Sequence, residues 1–284
     1  MADLSDLTEE VVRSFDTAGD RLRTVTQSLV RHLHSFIAEV DLTEAEWAYA
    51  IDFLTRTGHI TDDKRQEFIL LSDVLGASMA TIKVNHPAGG KVTESTVLGP
   101  FFVSDSPDFV NGDDISQGAA GQPCYVSGVV RDEDGNLVPN AFMEVWQADE
   151  DGFYDVQYPG LDTAQGRGRL SAADDGRFWF WTVHPEAYPI PTDGPVGELL
   201  TAAGRHPMRP AHIHFKVDAA GFDTLITHVF AADSKYLDSD AVFGVKRSLI
   251  TPFTMQNPGV APDGKTMDVP YYLVTFDIVL ARAS

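Results

Sequence analysis

A chain of 284 residues with 43% hydrophobic and 10% aromatic side chains is long enough for one large domain or two modest ones around a real apolar core. Its formal charge of −21 argues against nucleic acid as a partner, because a phosphate backbone needs a basic face; acidity here serves solubility. The single cysteine, Cys124, excludes an internal disulfide framework and a cysteine-built zinc site.

The N-terminus, MADLSDLTEEVV, has no basic stretch followed by an apolar one, and no run approaches the roughly 18 apolar residues of a membrane span. A cytoplasmic protein is expected. Leu22, Val25, Leu29, Leu33, Phe36 and Val40 recur at three- and four-residue spacing and trace one face of a helix. Thr43 and Glu46 form a capping box for the next helix, with Leu42 and Trp47 placed as its staple and Gly58 as its C-cap. Thr61 is placed to cap a third helix, with Asp62 and Asp63 in its first turn and Phe68, Leu71, Leu75 and Met79 turned inward.

The pattern changes near residue 100. Residues 125–130 and 141–146 flank Asp132-Glu-Asp-Gly-Asn136, a strong turn signal. Residues 177–183, 211–217, 225–230 and 271–280 read as further strands. The expected fold is mixed α and β: an N-terminal helical layer over residues 1–100, then an antiparallel β-sandwich over 101–284 that carries the site.

The sharpest local signal is Arg209-Pro-Ala-His212-Ile-His214. Residues two apart on a strand share a face, so both imidazoles could converge on one ion. Alone this is weak, since imidazole serves zinc, copper and iron alike. A carboxylate could complete a ferrous site, or a zinc hydrolase site using Asp149 or Glu144; a non-catalytic sandwich that binds a partner is a third reading. Tyr154 and Tyr188 each follow a strand end, where loops from a rigid scaffold can meet. Each taken singly is explained as well by a packed ring with a bonded hydroxyl.

Together, the stretches Thr93-Glu-Ser-Thr-Val-Leu-Gly-Pro-Phe101, Glu144-Val-Trp-Gln-Ala-Asp-Glu-Asp-Gly-Phe-Tyr154, Tyr188-Pro-Ile-Pro-Thr-Asp-Gly-Pro195 and Arg205-His-Pro-Met-Arg-Pro-Ala-His-Ile-His214 resemble the intradiol ring-cleaving dioxygenases. The resemblance covers nearly the whole chain. It implies one ferric ion per chain, held by Tyr154, Tyr188, His212 and His214. It further implies that a catechol-type substrate chelates the ion and meets O₂ directly, while Tyr188 helps to take a substrate proton. Arg209 matches an arginine beside the substrate ring, where a fixed cation stabilises charge on carbon. His228 stands where catechol-cleaving members carry glutamine, so it is either a neighbour supporting the ligands or a satisfied core histidine.

Two segments, Phe68-Ile-Leu-Leu-Ser-Asp73-Val-Leu-Gly76 and Asp238-Ser-Asp-Ala-Val-Phe-Gly-Val245, look like the branch of the family that cleaves hydroxyquinol, 1,2,4-trihydroxybenzene. Catechol or a substituted catechol is the alternative substrate. In that branch the positions matching Leu70, Asp73, Val97, Leu98, Gly99, Ile190, Pro191 and Val242 line the pocket. Asp73 would accept a hydrogen bond from the third hydroxyl and be left unpaired by catechol. The resemblance also implies a homodimer through the N-terminal helices, with a phospholipid held between them.

Overall fold

The computed structural model describes residues 3–62, 65–86 and 90–283, and the chain divides into two compact units, Met1–His59 and Ile60–Ser284. The first consists of α1 (Ser5–Arg13), α2 (Asp20–Glu39) and most of α3 (Glu44–Ile60). Gln27 Nε2 on α2 donates to the Val12 carbonyl of α1 at 3.1 Å, and Thr8 Oγ1 bonds His34 Nδ1 at 2.9 Å. The capping box forms as expected. Glu46 Oε2 accepts from Thr43 N at 2.9 Å, and Glu46 N donates to Thr43 Oγ1 at 3.2 Å. The helix passes Gly58 and ends at Ile60. The apolar stripe of α2 is uncovered, with Leu22, Val25, Leu29, Leu33, Phe36 and Val40 between 45% and 62% exposed.

In the second unit the helix expected from Thr61 starts later, at Glu67; Asp63 lies outside the described residues. Arg65 N donates to Asp62 Oδ1 at 2.7 Å and Asp62 N to the Arg65 carbonyl at 2.9 Å, so the aspartate closes a turn instead of opening a helix. Helix α4 (Glu67–Val74) then breaks before α5 (Ala77–Asn85), because Gly76 takes the left-handed conformation at φ 72°, which glycine adopts without steric cost. Leu71 and Met79, expected to face inward, pack against the apolar cluster around Leu70 and Val74. Leu70, Asp73 and Val74 are buried, whereas Phe68 and Leu75 are exposed.

The strands follow in chain order: β1 (Pro123–Asp132), β2 (Phe142–Gln147), β3 (Arg167–Ser171), β4 (Arg177–Val183), β5 (Tyr188–Pro189), then helix α6 (Pro195–Ala202), β6 (Met208–Arg209), β7 (His212–Asp218) and β8 (Leu225–Ala231). The short strands β9 (Ile250–Thr251), β10 (Thr254–Gln256), β11 (Gly259–Val260) and β12 (Thr266–Met267) precede β13 (Tyr271–Thr275) and β14 (Ile278–Leu280). One sheet has the order β10-β13-β1-β14 with β4 also on β1; the other runs β3-β2-β7-β8-β9. They pack face to face. Val126 and Phe180 of the first share one apolar cluster with Met143, Ile213 and Phe215 of the second, and the Phe178 and Phe215 rings meet at 6.0 Å.

The expected sandwich is present, but among the described strands β1 runs parallel to β13 and to β14, and β8 parallel to β9. The 271–280 run, expected as one strand, breaks at Phe276-Asp277. There Asp277 Oδ1 accepts the Val129 amide at 3.0 Å, replacing a ladder bond. Gly128 lies opposite, where a Cβ would come within 1.9 Å of the Phe276 carbonyl.

Candidate metal centre

Alternation along β7 divides its side chains between two faces. Ile213, Phe215 and Val217 enter the sandwich core. His212 and His214 therefore point out of the opposite face. Across the sheet His214 pairs with Trp146 of β2 and with His228 of β8, and the three rings form a row. Trp146 stacks on His214 with centroids 4.6 Å apart and an interplanar angle of 14°, and His228 meets its other side edge-on at 4.2 Å.

The two tyrosines reach this face from separate segments. Tyr154 follows the turn in which Asp149 Oδ1 accepts the Asp151 and Phe153 amides at 3.0 and 3.1 Å, and its ring stacks on Phe101 at 4.4 Å. Tyr188 is paired to Arg209 by the β5–β6 ladder. All of the phenol and imidazole groups are buried. The Tyr154 hydroxyl is 3.2 Å from that of Tyr188 and 2.8 Å from His214 Nε2, and His214 Nε2 is 3.0 Å from His212 Nε2.

These spacings suit a metal ion. Donor atoms about 2.0–2.2 Å from one ion and near right angles to each other stand roughly 3 Å apart. His212 Nδ1 is 2.7 Å from the Pro210 carbonyl; that oxygen can only accept, so the proton sits on Nδ1 and Nε2 presents its lone pair to the cluster. Burial holds His212, His214 and His228 well below the ordinary imidazole range, which keeps them neutral, and it pushes the Tyr154 phenol well above its own. A phenolate at Tyr154 therefore calls for a strong cation beside it. Among the described residues the metal-capable cluster is His212, His214 and His228, with no carboxylate in it. The carboxylates of the zinc reading are engaged elsewhere: Glu144 accepts from Lys216 Nζ at 2.6 Å, and Asp149 from the Tyr158 hydroxyl at 2.6 Å.

Arg209 is buried beside the cluster, with Nη1 3.2 Å from His212 Nε2 and 3.5 Å from the Tyr188 hydroxyl. Burial opposes its charge, and the Asp240 carboxylate beside it favours the protonated guanidinium. Leu70, Val97, Ile190 and Val242 form one apolar cluster, Leu98 packs with Phe101, Tyr154 and Tyr188, and Gly99 faces His214. Gly99 has φ 77°, and a Cβ there would lie 3.4 Å from His214 Cε1. Leu70, Phe101 and Pro191 also border a cavity of about 790 Å³, a ligand-sized space. Asp73 is 2% exposed, and its Oδ1 has no hydrogen-bond partner; burial raises its carboxyl above the usual range. Trp146 and Asp240 escaped the sequence reading. Finding Trp146 requires the β2–β7 register, and Asp240 sits in a quoted segment whose charge partner lies 31 residues away.

Residues 98–282 match the family described as "Dioxygenase", and residues 19–93 match the "Catechol dioxygenase N terminus". The chain is an intradiol dioxygenase. This dioxygenase is 57% identical to a hydroxyquinol 1,2-dioxygenase of Nocardioides simplex, over 98% of this chain and 95% of that one. It is 54% identical to a 6-chlorohydroxyquinol 1,2-dioxygenase of Cupriavidus pinatubonensis, over 98% and 97%. The crystal structure of hydroxyquinol 1,2-dioxygenase from Pseudomonas putida DLL-E4 superposes with a TM-score of 0.90 at 45% identity, covering 98% of both chains.

Proposed function

We propose that this dioxygenase cleaves hydroxyquinol between its adjacent hydroxyls, using O₂. The product is 3-hydroxy-cis,cis-muconate, the enol form of maleylacetate, with one oxygen atom of O₂ in each new carboxyl group. The observation that carries this reading is a buried pair of phenols beside a buried pair of imidazoles, in a chain matching hydroxyquinol-cleaving relatives from end to end. Tyr154, Tyr188, His212 and His214 would hold one ferric ion per chain: phenolates are hard anionic donors suited to a trivalent cation, and the neutral imidazoles would complete the set. A ferric ion held there would supply Lewis acidity toward the adjacent hydroxyls of the substrate.

The protein's own groups do the rest. Tyr188 accepts a proton from a substrate hydroxyl. The Arg209 guanidinium, 3.5 Å from the Tyr188 hydroxyl, opposes the negative charge that builds on the ring before oxygen arrives. Leu70, Val97, Leu98, Gly99, Ile190, Pro191 and Val242 enclose the ring. The unpartnered Asp73 Oδ1 accepts the third hydroxyl, which supports hydroxyquinol over catechol. His228 packs against both histidine ligands and fixes their ring planes.

Purified enzyme should be wine-red from tyrosinate-to-iron charge transfer, with a band that shifts when hydroxyquinol is added without oxygen. A colourless, zinc-loaded and active preparation would overturn the assignment. Asp73→Asn should cut the preference for hydroxyquinol over catechol at least about tenfold; an unchanged ratio removes Asp73 from substrate recognition. No described helix is long and apolar enough to cross a membrane. The uncovered stripe of α2 and the exposed Trp47, Ile51 and Leu54 of α3 support a homodimer through these helices, with room for a phospholipid acyl chain between them. Sedimentation at the monomer mass, or no lipid in a solvent extract, would remove the dimer or the lipid respectively.

A further inference from the structure

Behind Arg209 stands Asp240, a carboxylate that takes no direct part in the proposed reaction. Asp240 is 2% exposed at its side chain and Arg209 is 3% exposed. Arg209 Nε donates to Asp240 Oδ1 at 3.1 Å and Nη2 to Oδ2 at 3.4 Å. Those two groups face away from the site, leaving Nη1 toward Tyr188 and His212. The same carboxylate takes two backbone amides from its own turn, Val242 N on Oδ1 at 3.3 Å and Gly244 N on Oδ2 at 2.9 Å. Four donors fill both oxygens.

The turn is pinned on every side. Ala241 N donates to the Met208 carbonyl beside Arg209 at 3.1 Å. Arg205 reaches from the other direction, donating to the carbonyls of Val74 at 2.6 Å and Ala241 at 2.8 Å, with its guanidinium 4.9 Å from the Phe243 ring centroid. Phe243 is held at φ 60°, a conformation that a bulky residue keeps only when its surroundings enforce it. A Cβ on Gly244 would lie 3.1 Å from Arg209 Nη2 and 3.2 Å from Asp240 Oδ2, close enough to crowd the ion pair.

We propose that Asp240 is a positioning residue that sets the direction of Arg209. A buried salt bridge does little for stability, but a guanidinium aimed by a filled carboxylate has one orientation, and a misplacement of about 1 Å in such a group costs roughly a hundredfold in rate. The idea rests on the reading that Arg209 acts beside the substrate, and the test separates the two.

Metal-loaded Arg209→Gln, Asp240→Asn and the double variant are compared on hydroxyquinol, together with anaerobic substrate binding read from the visible band. Asp240→Asn should keep its iron and its resting colour, bind substrate within about threefold of the parent, and lose kcat roughly a hundredfold. If Asp240 acts through Arg209, the double variant is no slower than Arg209→Gln alone. Losses that multiply mean a merely structural Asp240 and overturn the proposal, as does an Asp240→Asn enzyme with parental kcat. An Arg209→Gln enzyme with parental kcat instead overturns the role of Arg209 itself. Should Asp240→Asn fail to fold, Asp240→Glu keeps the charge and displaces the guanidinium. It should lose kcat with substrate binding retained, and parental kcat there overturns the proposal.

Discussion

His214 and Phe215 are neighbours in sequence and belong to different parts of the molecule. Phe215 enters the apolar interior between the sheets, against Phe178 and Phe180. His214 joins a row of rings on the outer face, beside titratable groups that burial holds neutral. The two faces share a backbone and divide the labour, one supplying cohesion and the other donor atoms. Side-chain alternation alone is enough to keep a demanding polar cluster out of a close-packed core.

The sharpest break between the faces is a pair of adjacent truncations. His214→Ala should abolish the visible band and measurable turnover while leaving a cooperative thermal transition; retention of bound iron by atomic absorption would contradict the ligand assignment. Phe215→Ala should lower stability by about 3–5 kcal/mol in urea titration, with activity per folded molecule near the parent. A variant as stable as the parent would mean the interior is looser than its contacts indicate. Next in size is Trp146→Leu, which removes the stack on His214 and should weaken metal retention about tenfold against a chelator, with little change in melting temperature. The smallest effect lies at the solvent rim. The Arg65 guanidinium, 2.8 Å from Asp193, holds that carboxyl below its usual range. The folded state thus favours the carboxylate, and the stability this contributes is present above about pH 4 and lost as pH falls through the folded value. Because Asp193 is 74% exposed at its side chain, Asp193→Asn should cost only about 0.2–1 kcal/mol at neutral pH and flatten that acid-side loss.

Much of this was legible in the sequence, and what was not has physical causes. The strand at 177–183 matches its observed bounds, because RFWFWTV has no competing pattern, and the capping box at Thr43 is local chemistry that needs no tertiary partner. The spacing of His212 and His214 specifies one face on any strand. The third helix was misplaced because Asp62 closes a turn with Arg65 instead of opening a helix; of its expected inward residues Leu71 and Met79 pack on the apolar cluster, whereas Phe68 and Leu75 are exposed. The strand Arg167–Ser171 and the helix Pro195–Ala202 are short and sit between Gly- and Pro-bearing loops. Asp240 was invisible for a different reason: among many acidic residues, nothing in one sequence marks the one that faces a buried arginine.

The exchange of partners along β1 bears on how the protein comes to exist in a cell. Its first half needs β13 and its last residues need β14, both synthesised about 140 residues after β1 itself. Until those segments emerge from the ribosome, one flank of β1 has unpaired amides, an invitation to off-pathway pairing. Completion of this sheet is therefore a late event in biosynthesis. A nascent chain halted before Tyr271 should be a client of chaperones, however sound its iron-binding strand.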